Sequence, residues 1–381
     1  MTRIIDTLKS YKYRHFNIRL LLWVGALTVI GIMVIASATE SDIYEKKQIL
    51  GLILGLIAMI FTMLISYKYI LKFYWLIYFV NLVLLVWVKV AGANHMGATR
   101  WIDLGFTQLQ PSEFTKIFLI LFLAKYIYKY KEKLNTLPVL SGAVVLFVVP
   151  LFLVLKQPDL STSIIITLVF CGVMYVGGLS YKIIASVFAV AVPVSVILMY
   201  LILQPNQTII EDYQYNRIIG FYDENNEEAE RINYQQKNSV MAIGSGGLWG
   251  KGLNNNSTTS VKNGNYISEP QTDFIFCIVG EELGFVGAAI VIILLLLIIL
   301  ECFYIGSNAP DLSGRIIACG IGLLIAFQSF VNISVVTRMI PNTGLPLPFV
   351  SYGLSSLLSL YICVGILLNI GMQRKDDLSF I

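Results

Sequence analysis

The chain is a succession of apolar stretches, each about 20 residues long, separated by polar segments. About 20 apolar residues are what an α-helix needs to cross the hydrocarbon core of a bilayer. Apolar residues make up 57% of the chain and charged residues only 13%, and the mean hydropathy is +0.75. This composition excludes a soluble globular domain and predicts an all-α integral membrane protein.

We predict about ten membrane-spanning helices. They cover residues 17–38, 47–66, 69–91, 112–130, 137–156, 160–178, 181–204, 273–303, 312–334 and 345–372. We predict that residues 1–381 form a single polytopic membrane domain. One large extracellular loop, residues 205–272, is predicted between helices 7 and 8. The first apolar stretch follows a basic, polar segment and is long enough to remain in the membrane, so we expect no cleavable signal peptide.

Basic residues predict the orientation of these helices. Short loops rich in lysine and arginine stay on the cytoplasmic side of a membrane. Alternate short loops hold most of the basic residues, among them Lys68, Lys131 and Arg315, and both termini fall on the same side as these loops. We therefore expect both termini to be cytoplasmic and the long loop to lie outside.

Charge, cysteine and histidine content narrow the function further. The net charge of +4 agrees with a cytoplasmic bias toward anionic lipid and indicates no nucleic-acid partner. All five cysteines fall in predicted helices, and the two histidines, His15 and His95, fall on opposite sides of the membrane. We therefore expect neither a disulfide framework nor a metal site built from cysteine or histidine.

Polar residues interrupt the apolar pattern at the predicted outer face. Arg100 precedes the first cluster, in which Pro111 and Ser112 mark a helix start. Glu113 and Lys116 follow, and a spacing of three places them on one helix face, where they can neutralise each other. The pair is either a structural ion pair or part of a hydrated cavity wall.

Two further clusters lie at helix junctions on the same face. Asp159 follows Gln157-Pro158, where a turn is expected, and its carboxylate is either a helix cap or part of a site. Arg338 precedes a segment with three prolines that ends in Ser351-Tyr352-Gly353. Non-helical backbone at membrane depth persists only where it is buried in protein or lines water.

The long loop has three parts with different expectations. Isoleucines and tyrosines recur in residues 209–219, and their spacing predicts short amphipathic helices at the outer interface. They are Ile209, Ile210, Tyr213, Tyr215, Ile218 and Ile219. The acidic residues of 223–230 indicate a solvated surface. Residues 241–252 contain five glycines and Lys251, so tight backbone with exposed amides could cradle an anionic group there.

Asp273 stands where the long loop enters the next apolar stretch, and Glu281 and Glu282 follow within that stretch. Carboxylates are costly inside a membrane helix, so each is a candidate functional group. The alternative for Asp273 is that it only caps the helix. Mixed basic and acidic groups on one face suit a polyanionic ligand with a lipid tail, such as a pyrophosphate-linked lipid.

The ordered motifs resemble the SEDS family (shape, elongation, division and sporulation), whose members include RodA, FtsW and SpoVE. The resemblance covers essentially the whole chain. It rests on Arg100-Trp101, Gln110 to Lys116, Gln157-Pro158-Asp159 with Thr162, Ala242 to Gly252, Thr272 to Phe276 with Glu281-Glu282, and Pro341 to Gly353.

The resemblance implies a fold and a reaction. The fold is the SEDS fold, which is GT-C-like, and the reaction is polymerisation of lipid II into β-1,4-linked glycan on the outer face of the bacterial plasma membrane, with release of undecaprenyl pyrophosphate. Asp273 matches the family's essential acidic residue, proposed as the general base. The candidate substrate-binding residues are Arg100, Glu113, Lys116, Asp159, Arg217, Lys251, Glu282, Arg338 and Ser351.

The resemblance also bears on subtype, cofactor and partners. The short N-terminal arm favours a RodA-like elongation enzyme over an FtsW-like division or SpoVE-like sporulation enzyme. A class B penicillin-binding transpeptidase and the elongation or division machinery are the expected partners. No dedicated metal site is expected, although a divalent cation, Mg²⁺ or Mn²⁺, could assist at the pyrophosphate. The rival functions are a lipid II flippase and a membrane scaffold.

Overall fold

A computed structural model of the chain describes residues 13–39, 41–95, 98–103, 105, 108–157, 159–204, 215, 218, 221, 227–254, 260, 266–267 and 269–373. Helices dominate these residues. In chain order they are α1 (Ile18–Ala38), α2 (Asp42–Leu64), α3 (Tyr67–Ile70), α4 (Tyr74–Ala91), α5 (Pro111–Lys129), α6 (Leu137–Leu155), α7 (Leu160–Val176), α8 (Tyr181–Ile202), α9 (Glu227–Ser245), α10 (Ile275–Glu282), α11 (Gly284–Ser307), α12 (Leu312–Val336) and α13 (Leu354–Met372).

Eight segments of the described chain are long and apolar enough to cross a membrane. They are α1, α2, the segment Tyr67–Val90, α6, α8, α11, α12 and α13. Among the other predicted spans, α7 has 17 residues and α5 carries buried charge. The chain is a multi-pass membrane protein, and the number ten stays a prediction.

The structure corrects two predicted helices. The span 273–303 is two helices, because α10 ends at Glu282 and α11 begins at Gly284. Gly284 has φ +66°, a left-handed conformation that costs a glycine least. The last helix begins at Leu354 rather than at 345, because the preceding proline-rich segment is irregular.

A small sheet, which the sequence did not predict, accompanies the otherwise helical fold. Strands β1 (Ala93–His95), β2 (Ala98–Asp103) and β3 (Gln108–Leu109) pair antiparallel in the order β1-β2-β3. Ile102 of β2 lies opposite Leu109 of β3. The sheet connects α4 to α5 and holds Arg100 near the start of α5.

The helices differ widely in burial. In the most apolar 18 residues of α12 and of α13, 67% and 78% of the residues are buried. In the corresponding part of α8, none is buried. Close packing of α13 on α2 uses Gly55, where an added Cβ would lie 3.0 Å from the Tyr361 ring. The core therefore centres on α12 and α13, with α2, α5, α7 and α11 around them.

Hydrogen bonds show which helix ends lie together. At one end, the Ser37 hydroxyl near the end of α1 donates to Glu282 at 2.6 Å, and Gln48 near the start of α2 donates to the Ser351 carbonyl at 3.2 Å. At the other, Asn369 near the end of α13 donates to the Met63 carbonyl at 2.7 Å. We call these the Asp273 end and the opposite end.

Candidate active site

Asp273 lies in a turn just before α10 and is half-buried. The capping position of α10 is Phe274, and no side chain there bonds to the first turn. A phenyl ring offers no oxygen to accept from helix amides. The assigned N-cap position of α10 is thus one residue after Asp273, and capping by the Asp273 side chain stays a prediction.

Three successive carbonyls around Asp273 each accept a hydrogen bond. The Tyr352 amide donates to Gln271 at 2.9 Å, and the Ser351 hydroxyl donates to Thr272 at 2.6 Å. The carbonyl of Asp273 accepts from the Asn332 side-chain amide at 2.7 Å. The backbone that carries the carboxylate is thus fixed from two directions, by the loop before α13 and by α12.

The loop before α13 is itself held from α2. Gln48 is buried, and its amide donates to the Ser351 carbonyl at 3.2 Å while its oxygen accepts from the Gly353 amide at 3.2 Å. Ser351 also accepts from the Leu347 amide at 2.7 Å. The predicted site residue Ser351 therefore acts here as a bridge between the loop and the Asp273 segment.

Left-handed backbone accumulates around the same segment. Glu269, Arg338 and Phe349 have φ values of +50°, +56° and +63°. Such conformations cost a residue other than glycine about 1–3 kcal/mol and cluster at functional sites.

Arg338 has a defined role in the backbone at the end of α12. Its amide donates to the Val335 carbonyl at 3.0 Å, and the Met339 amide donates to the Ser334 carbonyl at 2.7 Å. This is a Schellman motif, in which glycine is usual at the left-handed position. An arginine there places a long basic side chain where the fold itself favours a glycine.

Glu113 and Lys116 form a buried ion pair on α5. The Lys116 ammonium lies 2.7 Å from a Glu113 oxygen, and the two side chains are only 2% and 4% exposed. Lys116 also donates to the Gln328 side chain at 3.0 Å. Gln328 in turn donates to the Pro346 carbonyl at 2.9 Å, so the pair is tied to the loop that holds Asp273.

Gln328 and Asn332 are one helical turn apart on α12 and face the same loop. Asn332 donates to the Leu345 carbonyl at 2.6 Å as well as to Asp273. This face of α12 therefore connects the Glu113–Lys116 pair to Asp273 through side-chain amides.

Asp159 and Arg100 each hold the junction between α6 and α7, next to the start of α5. Asp159 caps α7, because its side chain accepts from the Thr162 amide at 3.2 Å. The predicted cap is thus observed, and the predicted role of Asp159 in substrate binding stays a prediction. It also accepts from the Ser112 hydroxyl at 3.2 Å, which joins α7 to α5. Arg100 donates to the Gln157 carbonyl at 3.1 Å, two residues before Asp159.

Lys251 and Glu282 belong to a separate cluster at the end of α10. Asp273 precedes the start of α10, about two helical turns away. The Lys251 ammonium lies 2.8 Å from Glu281, and Glu282 accepts from Ser37. The amides of Lys251 and Gly252 donate to the carbonyls of Glu281 and Glu282 at 3.0 and 2.9 Å. Both amides are thus bonded within the protein. They do not form part of the anion-binding backbone predicted for residues 241–252.

Three sequence-based expectations fall on residues outside the described ranges. Arg217 is one of them. Most of residues 209–219, for which short helices were predicted, and the acidic patch at 223–226 are the others. The remainder of that patch begins α9, whose Gln236 amide donates to the Val335 and Ile340 carbonyls at 2.8 and 3.0 Å, on either side of Arg338.

Sequence analysis missed the amides that organise the site, namely Gln48, Gln328 and Asn332. Each lies within a predicted span, where polar side chains are rare and costly. An amide inside an apolar stretch was the available signal.

The opposite end carries a second polar network that sequence analysis also missed. Asn369 accepts from the Tyr67 amide at 2.9 Å, and the Tyr67 hydroxyl donates to Asp311 at 3.0 Å. Asp311 also caps α12 by accepting from the Gly314 amide at 2.8 Å. Polar groups at this end therefore serve helix ends and helix packing.

Tyr352, next to the Asp273 segment, carries a phenol hydroxyl that stays protonated and neutral. Burial raises the pKa of the Tyr352 phenol above its ordinary value, and the neighbouring Tyr44 and Glu269 raise it further. Tyr352 packs edge-on against Tyr44, with ring centroids 5.1 Å apart. Within the described ranges, no three His, Cys, Asp or Glu side chains come together as metal ligands.

Sequence comparison identifies close relatives. The family model of the cell cycle proteins FtsW, RodA and SpoVE matches residues 14–376. The probable peptidoglycan glycosyltransferase FtsW of Trichlorobacter lovleyi is 35% identical over 380 residues, with 96% of each chain covered. The peptidoglycan glycosyltransferase MrdB of Escherichia coli K12 is 35% identical over 366 residues, with 95% of each chain covered.

Solved structures agree with these matches. A chain from the structure described as "Structural coordination of polymerization and crosslinking by a peptidoglycan synthase complex" has a TM-score of 0.78 and 26% identity, covering 95% of this chain and 99% of that one. The crystal structure of the Thermus thermophilus rod shape determining protein RodA has a TM-score of 0.69 and 26% identity, covering 96% and 98%. The chain belongs to the SEDS family of FtsW, RodA and SpoVE proteins.

Proposed function

We propose that this chain is a peptidoglycan glycosyltransferase that polymerises lipid II. Two relatives that align along almost their whole length bear the name peptidoglycan glycosyltransferase. The observation that carries the proposal is the frame around Asp273, in which three consecutive carbonyls are hydrogen-bonded. A catalytic carboxylate has to be held in a fixed position relative to its substrate, and a frame of this kind achieves that.

In the proposed reaction Asp273 is the general base. It takes the proton from the 4-hydroxyl of the acceptor sugar as that oxygen attacks the anomeric carbon of the donor. The new C–O bond forms as the bond to the pyrophosphate breaks, and the configuration inverts to a β-1,4 linkage. Undecaprenyl pyrophosphate leaves with the bonding electron pair. A base of this kind contributes about 10²–10⁴-fold to the rate.

Basic side chains at the Asp273 end stabilise charge on the leaving pyrophosphate. Arg100 and Arg338 are both half-buried, so their guanidinium groups suit a phosphate ligand, which they can bind in a bidentate manner. Lys116 is committed to Glu113 and Gln328. Its proposed contribution is therefore to position the loop at Pro346.

A divalent cation could bind at this site together with the substrate, without a dedicated set of protein ligands. Mg²⁺ keeps several waters and binds through one or two carboxylates together with substrate phosphates, so it needs no cage of protein ligands. A cation bound to Asp273 would lower the basicity of that carboxylate. A bound Mg²⁺ or Mn²⁺ would therefore be held by the substrate phosphates and water, where it would neutralise pyrophosphate charge.

The orientation, subtype and partner form part of the same proposal. Both termini lie in the cytoplasm and Asp273 lies at the outer face of the plasma membrane, as the basic short loops favour. The chain works in elongation, in the manner of RodA, with a class B penicillin-binding transpeptidase. A related chain of known structure comes from a synthase complex that couples polymerisation to crosslinking, which supports such a partner.

The experiment is polymerisation of lipid II by the purified full chain together with its transpeptidase, with products sized on a gel. Wild type is expected to make glycan polymer, and Asp273→Asn to make about 10²–10⁴-fold less. The thermal unfolding midpoint should be unchanged, because the side chain of Asp273 is half-buried and the frame bonds its backbone. Equal polymer from both proteins would contradict the assignment of the base.

Two further arms complete the test. Arg338→Gly keeps the left-handed backbone and removes only the side chain, so lost activity in a stably folded variant identifies the guanidinium as the active group. A flippase would give a different result. Lipid II would then cross vesicle membranes while wild type makes no polymer.

A further inference from the structure

A recess of about 170 Å³ lies at the opposite end of the molecule from Asp273. It is bounded by the start of α1, the end of α11 and Gly371 at the end of α13. Helix α11 has 24 residues, which span about 36 Å, so the recess and Asp273 lie at different membrane faces. A water molecule takes up about 30 Å³ in the liquid, so the recess is large enough for a group the size of a phosphate.

The lining of the recess is basic. Arg14, His15 and Arg19 contribute to it, and no aspartate or glutamate is among the described residues that line it. Arg14 is exposed. The first turn of α1 faces the same space. Its Ile18 and Leu20 amides are bonded to the Phe16 carbonyl and the Asn17 side chain, so the helix start contributes the positive end of its dipole rather than a set of donors.

Among the described residues, the buried carboxylate next to the recess is paired with a basic side chain. Glu301 of α11 is 5% exposed, and its two oxygens contact Arg19 Nε at 3.2 Å and Asn17 Nδ2 at 2.7 Å. The C-terminal end of α11, whose carbonyls carry partial negative charge, is capped by a side chain as well. The Asn308 side-chain amide donates to the Tyr304 carbonyl at 2.8 Å. Glu301 therefore offsets the charge of Arg19, and the net positive charge of the recess rests on Arg14.

The recess borders the lipid-facing surface of α1. Ile18 and Leu22 are 54% and 61% exposed, and in a membrane-spanning helix such side chains face acyl chains. A phosphate in the recess could thus belong to a lipid whose tails run along this face. The arginine side chain suits such a phosphate because it can form two parallel hydrogen bonds.

We propose that this recess, lined by Arg14, His15 and Arg19, binds the phosphate of an anionic lipid headgroup. The combination of a basic lining, a neutralised buried acid and adjacent exposed apolar residues selects a lipid over a soluble anion. The site is remote from Asp273 and is independent of the reaction proposed there.

Lipid binding is measured on the purified full chain in neutral detergent. Native mass spectrometry follows the retention of phosphatidylglycerol, and the thermal unfolding midpoint follows its effect on stability. Wild type is expected to retain the lipid, and Arg14→Gln to bind it about fivefold more weakly, the factor that corresponds to about 1 kcal/mol for each basic residue near an anionic surface. Arg14→Lys should lose less, because it keeps the charge.

The matched control is Lys72→Gln, which removes one exposed positive charge at the same end but outside the recess. Its affinity for phosphatidylglycerol should equal that of wild type. Equal weakening by Arg14→Gln and Lys72→Gln would overturn the proposal, because binding would then reflect surface charge alone. An equal midpoint shift with inorganic phosphate and no lipid would overturn the assignment to a lipid.

Discussion

Helices α8 and α13 look alike in hydropathy and differ completely in their surroundings. Their mean hydropathies are 2.4 and 1.9, yet the apolar window of α8 is 0% buried and that of α13 is 78% buried. Between Lys182 and Tyr200, α8 has no polar side chain larger than serine, whereas α13 carries Asn369. Helices in lipid gain little from apolar contact, so close packing and polar contacts decide which ones associate.

The largest effect should come from a charge in the packed region. Glu113→Ala leaves the Lys116 ammonium buried without its partner, and breaking such a pair costs about 3–5 kcal/mol. We expect a large fall in the thermal unfolding midpoint in detergent. Lys182→Ala removes an exposed charge from α8 and should change stability by less than about 0.5 kcal/mol. A similar midpoint for both variants would mean that burial does not distinguish the two regions.

The buried side-chain amides of Asn332 and Asn369, at the two ends of the packed region, should differ in their effect on catalysis. Asn332→Ala removes the donor to the Asp273 and Leu345 carbonyls. Asn369→Ala removes the donor to the Met63 carbonyl and the acceptor of the Tyr67 amide, and each loss costs about 1–3 kcal/mol. Only Asn332→Ala is expected to lower kcat in lipid II polymerisation, because Asn332 positions Asp273. The measurement is kcat and KM for folded protein, and an equal fall in kcat for both would reduce Asn332 to a structural role.

The interface of α13 with α2 should reject a single methyl group. A Cβ at Gly365 would overlap the Thr62 hydroxyl and the Met59 carbonyl and lie 3.0 Å from Met59 Cα, so Gly365→Ala should destabilise by about 1–3 kcal/mol. Ala189→Val on α8 adds more volume at an exposed position and should have almost no effect. Thermal unfolding of both variants tests this. Equal destabilisation would show that α8 is packed.

The smallest effect concerns pH at the start of α12. Burial alone would raise the pKa of Asp311, but hydrogen bonds from the Ser313 hydroxyl, the Gly314 amide and the Tyr67 hydroxyl outweigh it, so the pKa lies below its ordinary value. The carboxylate therefore stabilises the fold above about pH 3.9, and this stability is lost as the pH falls through the lowered pKa.

The test compares unfolding midpoints between about pH 5 and about pH 3, across the ordinary pKa of aspartate. Wild type should lose stability more steeply on acidification than Asp311→Asn, which has no carboxylate to protonate. Asp42→Asn, at a position that is 77% exposed, should follow wild type. Parallel slopes for wild type and Asp311→Asn would contradict the assigned direction of the shift.

Much of the helical layout could be predicted from sequence because hydrophobic length is a local property. The predicted span 181–204 compares with Tyr181–Ile202 in the structure, and 312–334 compares with Leu312–Val336. The errors came where backbone geometry interrupts an apolar stretch. Gly284 breaks one predicted helix, and the prolines before Leu354 delay another.

The candidate site was predicted less completely than the helices. Asp273, Ser351 and the Glu113–Lys116 pair could be selected because polar groups in apolar surroundings stand out. Gln48 and Asn332 could not be assigned to them, because they lie far away in the chain and act through backbone carbonyls. No residue type or spacing indicates which carbonyl an amide will meet.

The sequence by itself determined that the chain crosses a membrane several times and where its costly carboxylates fall, since both follow from the transfer of local groups into lipid. Only the tertiary structure decided which helices are buried and which predicted basic residues are already paired. It also decided that three carbonyls at and before Asp273 are held from α12 and the loop before α13. The physical reason is that hydropathy depends on the residue alone, whereas packing and hydrogen bonding depend on what the fold brings next to it.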